Sequence, residues 1–191
     1  MTTVCKGFVD VPYGQVHFRY GGRGPVVVML HDSPRTSVVH VPNIEWLGEH
    51  FTVVAPDTPG CGESAPLPQP HPGIEDFAAA LSGTLTALGI ERCAIYAPHG
   101  AAKIALQFAA EHPGRVALAI LDGLPLDAEP AGPQVLEQSL QAFAPAGDGS
   151  HLPREWSRVL DAHRWRPWCE RTTATRLSAP LPNDLELHEY A

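Results

Sequence analysis

The sequence has no apolar run approaching the roughly 20 residues needed to cross a bilayer. Its apolar runs, such as residues 26–30 and 116–121, are the length of a strand, so a helical membrane span is excluded. The N-terminal MTTVCKGF lacks the apolar core of a signal peptide. Cysteine is scarce. Cys5, Cys61, Cys93 and Cys169 show neither a zinc-ligand spacing nor a dense disulfide pattern, so no metal is expected and a reducing cytoplasm is the expected compartment. Basic residues are outnumbered, with 13 Lys and Arg against 21 Asp and Glu for a formal charge of −8. Without a basic stripe, nucleic acid is not an expected partner. Internal repeats and low-complexity tracts are also missing, which argues against a solenoid or a disordered chain.

What is present belongs to a globular protein: 191 residues, 44% hydrophobic and 18% charged, enough to bury one substantial core. Residues 8–11 and 16–20 flank Tyr13-Gly14, and Val16, Phe18 and Tyr20 alternate with polar residues, predicting an antiparallel hairpin at a sheet edge. Four later runs, residues 26–30, 51–55, 93–96 and 116–121, are short, continuous and rich in β-branched residues, as suits strands covered on both faces. Between them, Phe77, Leu81, Leu85 and Leu88 recur at helical spacing before Gly89, and Ile104 and Phe108 share a face before His112-Pro113. Strand and helix therefore alternate. That order predicts an α/β fold, with a doubly wound, mainly parallel sheet built by right-handed crossovers. The 20 prolines crowd residues 56–72 and 125–133, which are expected to be loops.

After residue 121 the strand signal stops. Leu136, Leu140 and Phe143 form one helical stripe, and Leu152, Trp156, Val159, Leu160 and His163 another, followed by Trp165 and Trp168. We expect a core over residues 1–127 and a helical lid or cap segment over 128–191. Asn183 and Glu186 have the spacing of a capping motif, yet only about two turns come after them, so the sequence reads as interrupted; a short docked terminal helix is the other reading.

Three segments together resemble the α/β-hydrolase superfamily, in the epoxide hydrolase and haloalkane dehalogenase branch. His31-Asp32-Ser33-Pro34 after the strand at 26–30 is similar to that branch's His-Gly-x-Pro turn. Residues 56–64, PDTPGCGES, are similar to its Asp-x-x-Gly-x-Gly-x-Ser loop. Residues 95–101, IYAPHGA, resemble its nucleophile turn, and the helix after them and residues 111–116, EHPGRV, extend the likeness to the start of the next strand. The resemblance covers about residues 8–127. It implies a hydrolase of small, mostly apolar organic molecules such as esters or epoxides, without metal or organic cofactor.

The chemistry departs from the pattern at one position. The family's nucleophile sits on a strained strand-to-helix turn written small-x-nucleophile-x-small, and here Ala97 and Ala101 bracket His99. Imidazole can attack a carbonyl, but an acyl-imidazole is itself reactive, and a ring cannot copy a serine oxygen held by a separate base. His99 is thus open to four readings: nucleophile, general base toward water, polar ligand-binding group, or relic bonded to nearby backbone. The resemblance places the oxyanion donors at the Gly100 and Ser33 N–H groups and a pocket at His31, Asp32, Pro34 and Trp156. Asp32 replaces a glycine and is expected either to form the turn, tolerating positive φ, or to set a carboxylate at the pocket mouth that repels an anion. His31 is expected to brace its loop, and Asp57 and Ser64 to be structural. Asp122 ends the last strand and is a weak candidate for the catalytic acid; an Asp before Gly123 is also an ordinary turn signal. The family's remaining triad members would come from strands beyond residue 191, so little activity is expected of this chain. A non-enzymatic ligand-binding or scaffold protein, or a truncated fragment, is the alternative. The last strand, left at an edge with an apolar sequence, should promote self-association.

Overall fold

A computed structural model describes residues 2–125, 146–162, 164–165, 172–174 and 176–177. The chain divides into two compact units, Met1–Leu126 and Asp127–Ala191. The first holds a six-stranded sheet built from β1 (Cys5–Val11), β2 (Gly14–Gly21), β3 (Val26–Met29), β4 (Thr52–Pro56), β5 (Cys93–Pro98) and β6 (Val116–Asp122). Their order across the sheet is β1-β2-β4-β3-β5-β6. β2 pairs antiparallel with both β1 and β4, whereas β4, β3, β5 and β6 run parallel.

The first turn lies one residue earlier than its sequence suggests. Val11 pairs with Gly14, so Pro12 and Tyr13 make the turn and Gly14 opens β2. Proline presets its own φ and has no N–H for the ladder, which suits it to the turn. Gly14 has φ 141°, a conformation few side chains tolerate.

Period-two alternation explains how the central strands serve two cores. Val28 and Leu30 face one side with Ile95 and Ala97, where α2 (Ile74–Ala87) and α3 (His99–Glu111) contribute Leu81, Leu85, Ala102, Ala105 and Phe108. Val27 and Met29 face the other side, with Val53, Ala55 and Ile44 of α1 (Val41–Leu47). Helices therefore cover both faces of a mainly parallel sheet. The alanines of α3 lie at or below 4% exposure at 101, 102 and 105, so the helix can approach the strands closely. Gly89, at φ 71°, ends α2 in the left-handed cap conformation. Arg115 ties that end to the start of β6. Its guanidinium donates to Ile90 O (2.8 Å), Ser82 Oγ (3.1 Å) and Thr86 Oγ1 (3.1 Å) and lies over the Phe108 ring.

In the second unit, α4 (His151–Ala162) carries Leu152, Trp156, Val159 and Leu160 of the anticipated stripe. Leu152 is 64% and Trp156 40% exposed. The stripe at Leu136, Leu140 and Phe143, together with His163, Trp168, Asn183 and Glu186, lies outside the described residues. Among the described residues no helix is long and apolar enough to cross a membrane.

Candidate active site

β5 passes into α3 with no intervening residue: Pro98 closes the strand and His99 opens the helix. The reversal is achieved in the backbone of His99, whose φ of 42° makes it the only described residue other than glycine in the left-handed region. Such a conformation typically costs about 1–3 kcal/mol in a non-glycine residue and persists only where its surroundings enforce it. Here they do. Ala97 is fully buried and Ala101 is 4% exposed, leaving no room for larger side chains on either side of the turn. The imidazole lies against Gly123, where an added Cβ would sit 3.0 Å from His99 Nδ1.

Asp32 follows β3. Its Oδ1 accepts the Gly100 N–H at 3.2 Å, placing a carboxylate on the first turn of α3. Its backbone needs no left-handed conformation, in contrast to the positive φ that a glycine at this place suggests. It does form a turn, since its carbonyl accepts the Arg35 N–H at 2.9 Å. The turn-forming and carboxylate roles weighed for it therefore coexist.

His31 is 1% exposed. Its Nε2 accepts the Thr58 N–H (2.9 Å), so Nδ1–H must be the donor to the Asp32 carbonyl (3.0 Å). Both ring nitrogens are satisfied in the neutral form, and burial lowers the pKa further. The ring thus locks the turn at Asp32 to the loop after β4.

That loop is organised by Asp57, which is 2% exposed. Its carboxylate accepts the Ser37 N–H (2.6 Å), the Glu63 N–H (3.1 Å) and His17 Nδ1–H (2.8 Å). Ser64 Oγ donates to the Asp57 carbonyl and accepts the His17 N–H. Burial pushes the Asp57 carboxyl up, but the hydrogen bonds from Ser37, Glu63 and His17 outweigh it and hold the pKa below the usual range. Gly62, at φ 53°, lets the loop close over the carboxylate, into which an added Cβ would collide.

Asp122 ends β6 opposite Pro98. Its Oδ2 accepts the Tyr96 hydroxyl at 3.0 Å, and among the described residues no hydrogen bond joins it to His99. Ser33 and Pro34 are exposed beside the His31 turn, with Ser33 Oγ 3.9 Å from Cys61 Sγ. A small cavity lies among the residues carrying these loops, lined by Leu30, Pro56, Thr58, Phe77, Leu81 and Ile104. None of His31, Asp32, Pro34 or Trp156, the residues expected to line a pocket, borders it, and Trp156 belongs to the second unit. Among the described residues no group of three His, Cys, Asp or Glu side chains is placed to hold a metal ion.

Sequence reasoning passes over two residues here, His17 and His40. His17 sits in an edge hairpin read only as a strand, and nothing in its spacing announces the Asp57 partner 40 residues away. His40 is 3% exposed and donates Nε2–H to the Leu30 carbonyl at 3.0 Å. Burial pushes its pKa down to about 4.

Comparison with known proteins fits this arrangement. The family model for the α/β-hydrolase fold matches residues 25–177. A protein of Mycobacterium phage D29 named as a non-heme haloperoxidase is 36% identical over 110 residues, covering 54% of this chain and 39% of that protein. An uncharacterized protein of Mycobacterium tuberculosis is 32% identical over 104 residues, covering 54% of this chain and 30% of its own length. The aligned region thus spans less than half of these relatives. Among solved structures, Cfl2 of Burkholderia cenocepacia aligns with a TM-score of 0.68 at 25% identity, covering 98% of this chain and 64% of that one. An epoxide hydrolase from Vigna radiata aligns with a TM-score of 0.70 at 17% identity, covering 98% and 66%; at that identity the likeness shows the fold alone. With a family match over most of its length and a mainly parallel sheet wound on both faces, the chain belongs to the α/β-hydrolase fold family.

Proposed function

We propose that this chain is a small-molecule hydrolase scaffold with His99 at the nucleophile position, and that it hydrolyses small apolar esters or epoxides poorly. The observation that carries the reading is the left-handed His99 at the β5–α3 junction. This turn aims a side chain away from both strand and helix, the placement a nucleophile requires. An imidazole there lacks the separate base that activates a hydroxyl, and any acyl group it accepted would sit on a reactive nitrogen. In this reading Gly100 and Ser33 supply the backbone donors, Asp122 is the candidate acid, and the ligand is a small organic molecule held without metal or cofactor.

A second reading, a non-enzymatic ligand-binding or scaffold role, is favoured by one observation: the Gly100 N–H is already bonded to Asp32. Assays with p-nitrophenyl esters and styrene oxide separate the readings. We expect turnover barely above buffer from the folded chain, and no large gain from His99→Ser, because a serine without a base is a weak nucleophile at neutral pH. Ester turnover that His99→Ala abolishes would overturn the poor-catalyst reading in favour of true imidazole catalysis.

Self-association is part of the same proposal. Among the described residues β6 pairs only with β5, and Leu118 and Ile120 are 56% and 51% exposed, an apolar edge strand of the kind that invites pairing with another chain. We expect the purified chain to bind hydrophobic dyes and to scatter light as an oligomer. A monodisperse monomer with a single cooperative melt and little dye binding would contradict this.

A further inference from the structure

The small cavity beside the loop after β4 is walled by groups with little to offer water. Pro56 and Pro59 line it and carry no N–H. Its polar neighbours are already engaged. Asp57 commits its carboxylate to Ser37, Glu63 and His17, its N–H to the His17 carbonyl and its own carbonyl to the Ser64 hydroxyl. The Thr58 N–H goes to His31 Nε2, and the Thr58 carbonyl accepts the Cys61 N–H. Thr84 Oγ1 donates to the Ala80 carbonyl one turn back along α2. Among the described residues, the buried side-chain N and O atoms without a partner are Tyr13 Oη and His17 Nε2, and neither residue borders the cavity. A water held inside a protein needs two to four polar partners, which these walls do not supply.

We infer that this cavity is a binding site for one compact, uncharged apolar molecule, in the size class of a noble gas, dioxygen or the smallest hydrocarbons. Space for the centre of a water-sized molecule amounts to about 20 Å³, a little above the roughly 10–15 Å³ that admits one such molecule, so anything larger is excluded. The floor is rigid and apolar, since Leu30 and Leu81 are at or below 6% exposure. Thr58, Pro59, Phe77 and Ile104 are only half-buried and mark the side open to entry. An apolar occupant leaves water and gains dispersion contacts with walls that otherwise face a void. His99, Gly100 and Asp122 do not line the cavity, so this binding needs no chemistry at the His99 turn.

The test uses the whole 191-residue chain with carbon-13 in its Ile, Leu and Val methyls, equilibrated with increasing pressures of xenon. We expect saturable shifts at the Leu30, Leu81 and Ile104 methyls, and no Overhauser transfer from water to them. In Ile104→Phe the larger ring fills the space, and xenon should bind about tenfold or more weakly, read at Leu30 and Leu81. Absence of a saturable shift at these methyls in the natural sequence would overturn the inference. So would equal shifts at exposed methyls, which would mean non-specific gas binding, or transfer from water to the cavity methyls. Binding unchanged in a well-dispersed Ile104→Phe spectrum also refutes it. If that variant fails to fold, Thr84→Ile fills the same space from α2: weaker xenon binding supports the inference and equal binding refutes it. The natural-sequence titration needs neither variant. Ester turnover would sink the proposed function without altering these shifts, so the two failures are distinguishable.

Discussion

Asp57→Ala is expected to cost about 3–5 kcal/mol of folding stability, enough to remove much of the margin of a typical domain. The carboxylate is 2% exposed and is the shared acceptor for Ser37 N–H, Glu63 N–H and His17 Nδ1–H. Removing it strands these donors in the interior. It also leaves His17 with an unsupported ring, because among the described residues Nε2 has no hydrogen-bond partner and faces the Glu63 carboxylate only at 3.7 Å. Asp57→Asn keeps one acceptor oxygen and should lose less, about 1–3 kcal/mol. Urea unfolding reads both, as a lowered midpoint with an unchanged slope. A loss below about 1 kcal/mol for the alanine variant would show that the carboxylate does not anchor the loop between β4 and α2. Because the folded pKa of Asp57 is depressed, its contribution is present above the unfolded carboxyl range near pH 4. It is lost as pH falls through the lower folded value.

The second large effect is also acid-dependent and lies higher on the pH scale. Burial lowers His40 from about 6.5 to about 4, so between those values the unfolded chain binds a proton that the folded chain refuses. Stability therefore rises with pH across this window, and falls by about 3 kcal/mol as pH drops from 6.5 to 4. The lowered pKa of His31 acts in the same direction. Replacing His40 by Phe sacrifices the bond to the Leu30 carbonyl and should lower stability near neutrality. It should also flatten the decline between pH 6.5 and 4. Urea midpoints at pH 7 and pH 4.5 for both proteins measure this, and an equally steep decline in the variant would exclude His40 as its source.

The sheet is legible in the sequence because its strands are apolar runs of strand length separated by helix-period segments, and both periods follow directly from backbone geometry. α1 escapes that reading. It is seven residues long, and Pro42 in its first turn looks like a chain breaker, although proline is well tolerated there. The β1–β2 turn shifts by one residue because Tyr13-Gly14 resembles a turn pair, whereas Pro12 takes the turn and Gly14 enters the strand.

At the candidate site, the position of His99 can be read from Ala97 and Ala101 because a tight strand-to-helix turn demands small neighbours. The destination of the Asp32 carboxylate cannot. It depends on the tertiary approach of β3 to α3, and neither the spacing of 68 residues nor the local sequence encodes that approach. The His17–Asp57 pair is invisible for the same reason: buried polar partners are found by the fold, not by a sequence period.

The central claim of the proposed reading is that His99 holds a nucleophile's place without a nucleophile's chemistry. Two observations motivate this claim: the left-handed turn at His99, a conformation that typically costs about 1–3 kcal/mol, and the engagement of the neighbouring Gly100 N–H by Asp32. The most direct test is peptide mass spectrometry of the folded chain after exposure to an excess of an organophosphonate ester, an electrophile that traps activated nucleophiles at this turn. We expect His99 to be recovered unmodified, and a stoichiometric phosphonyl adduct on His99 would contradict it.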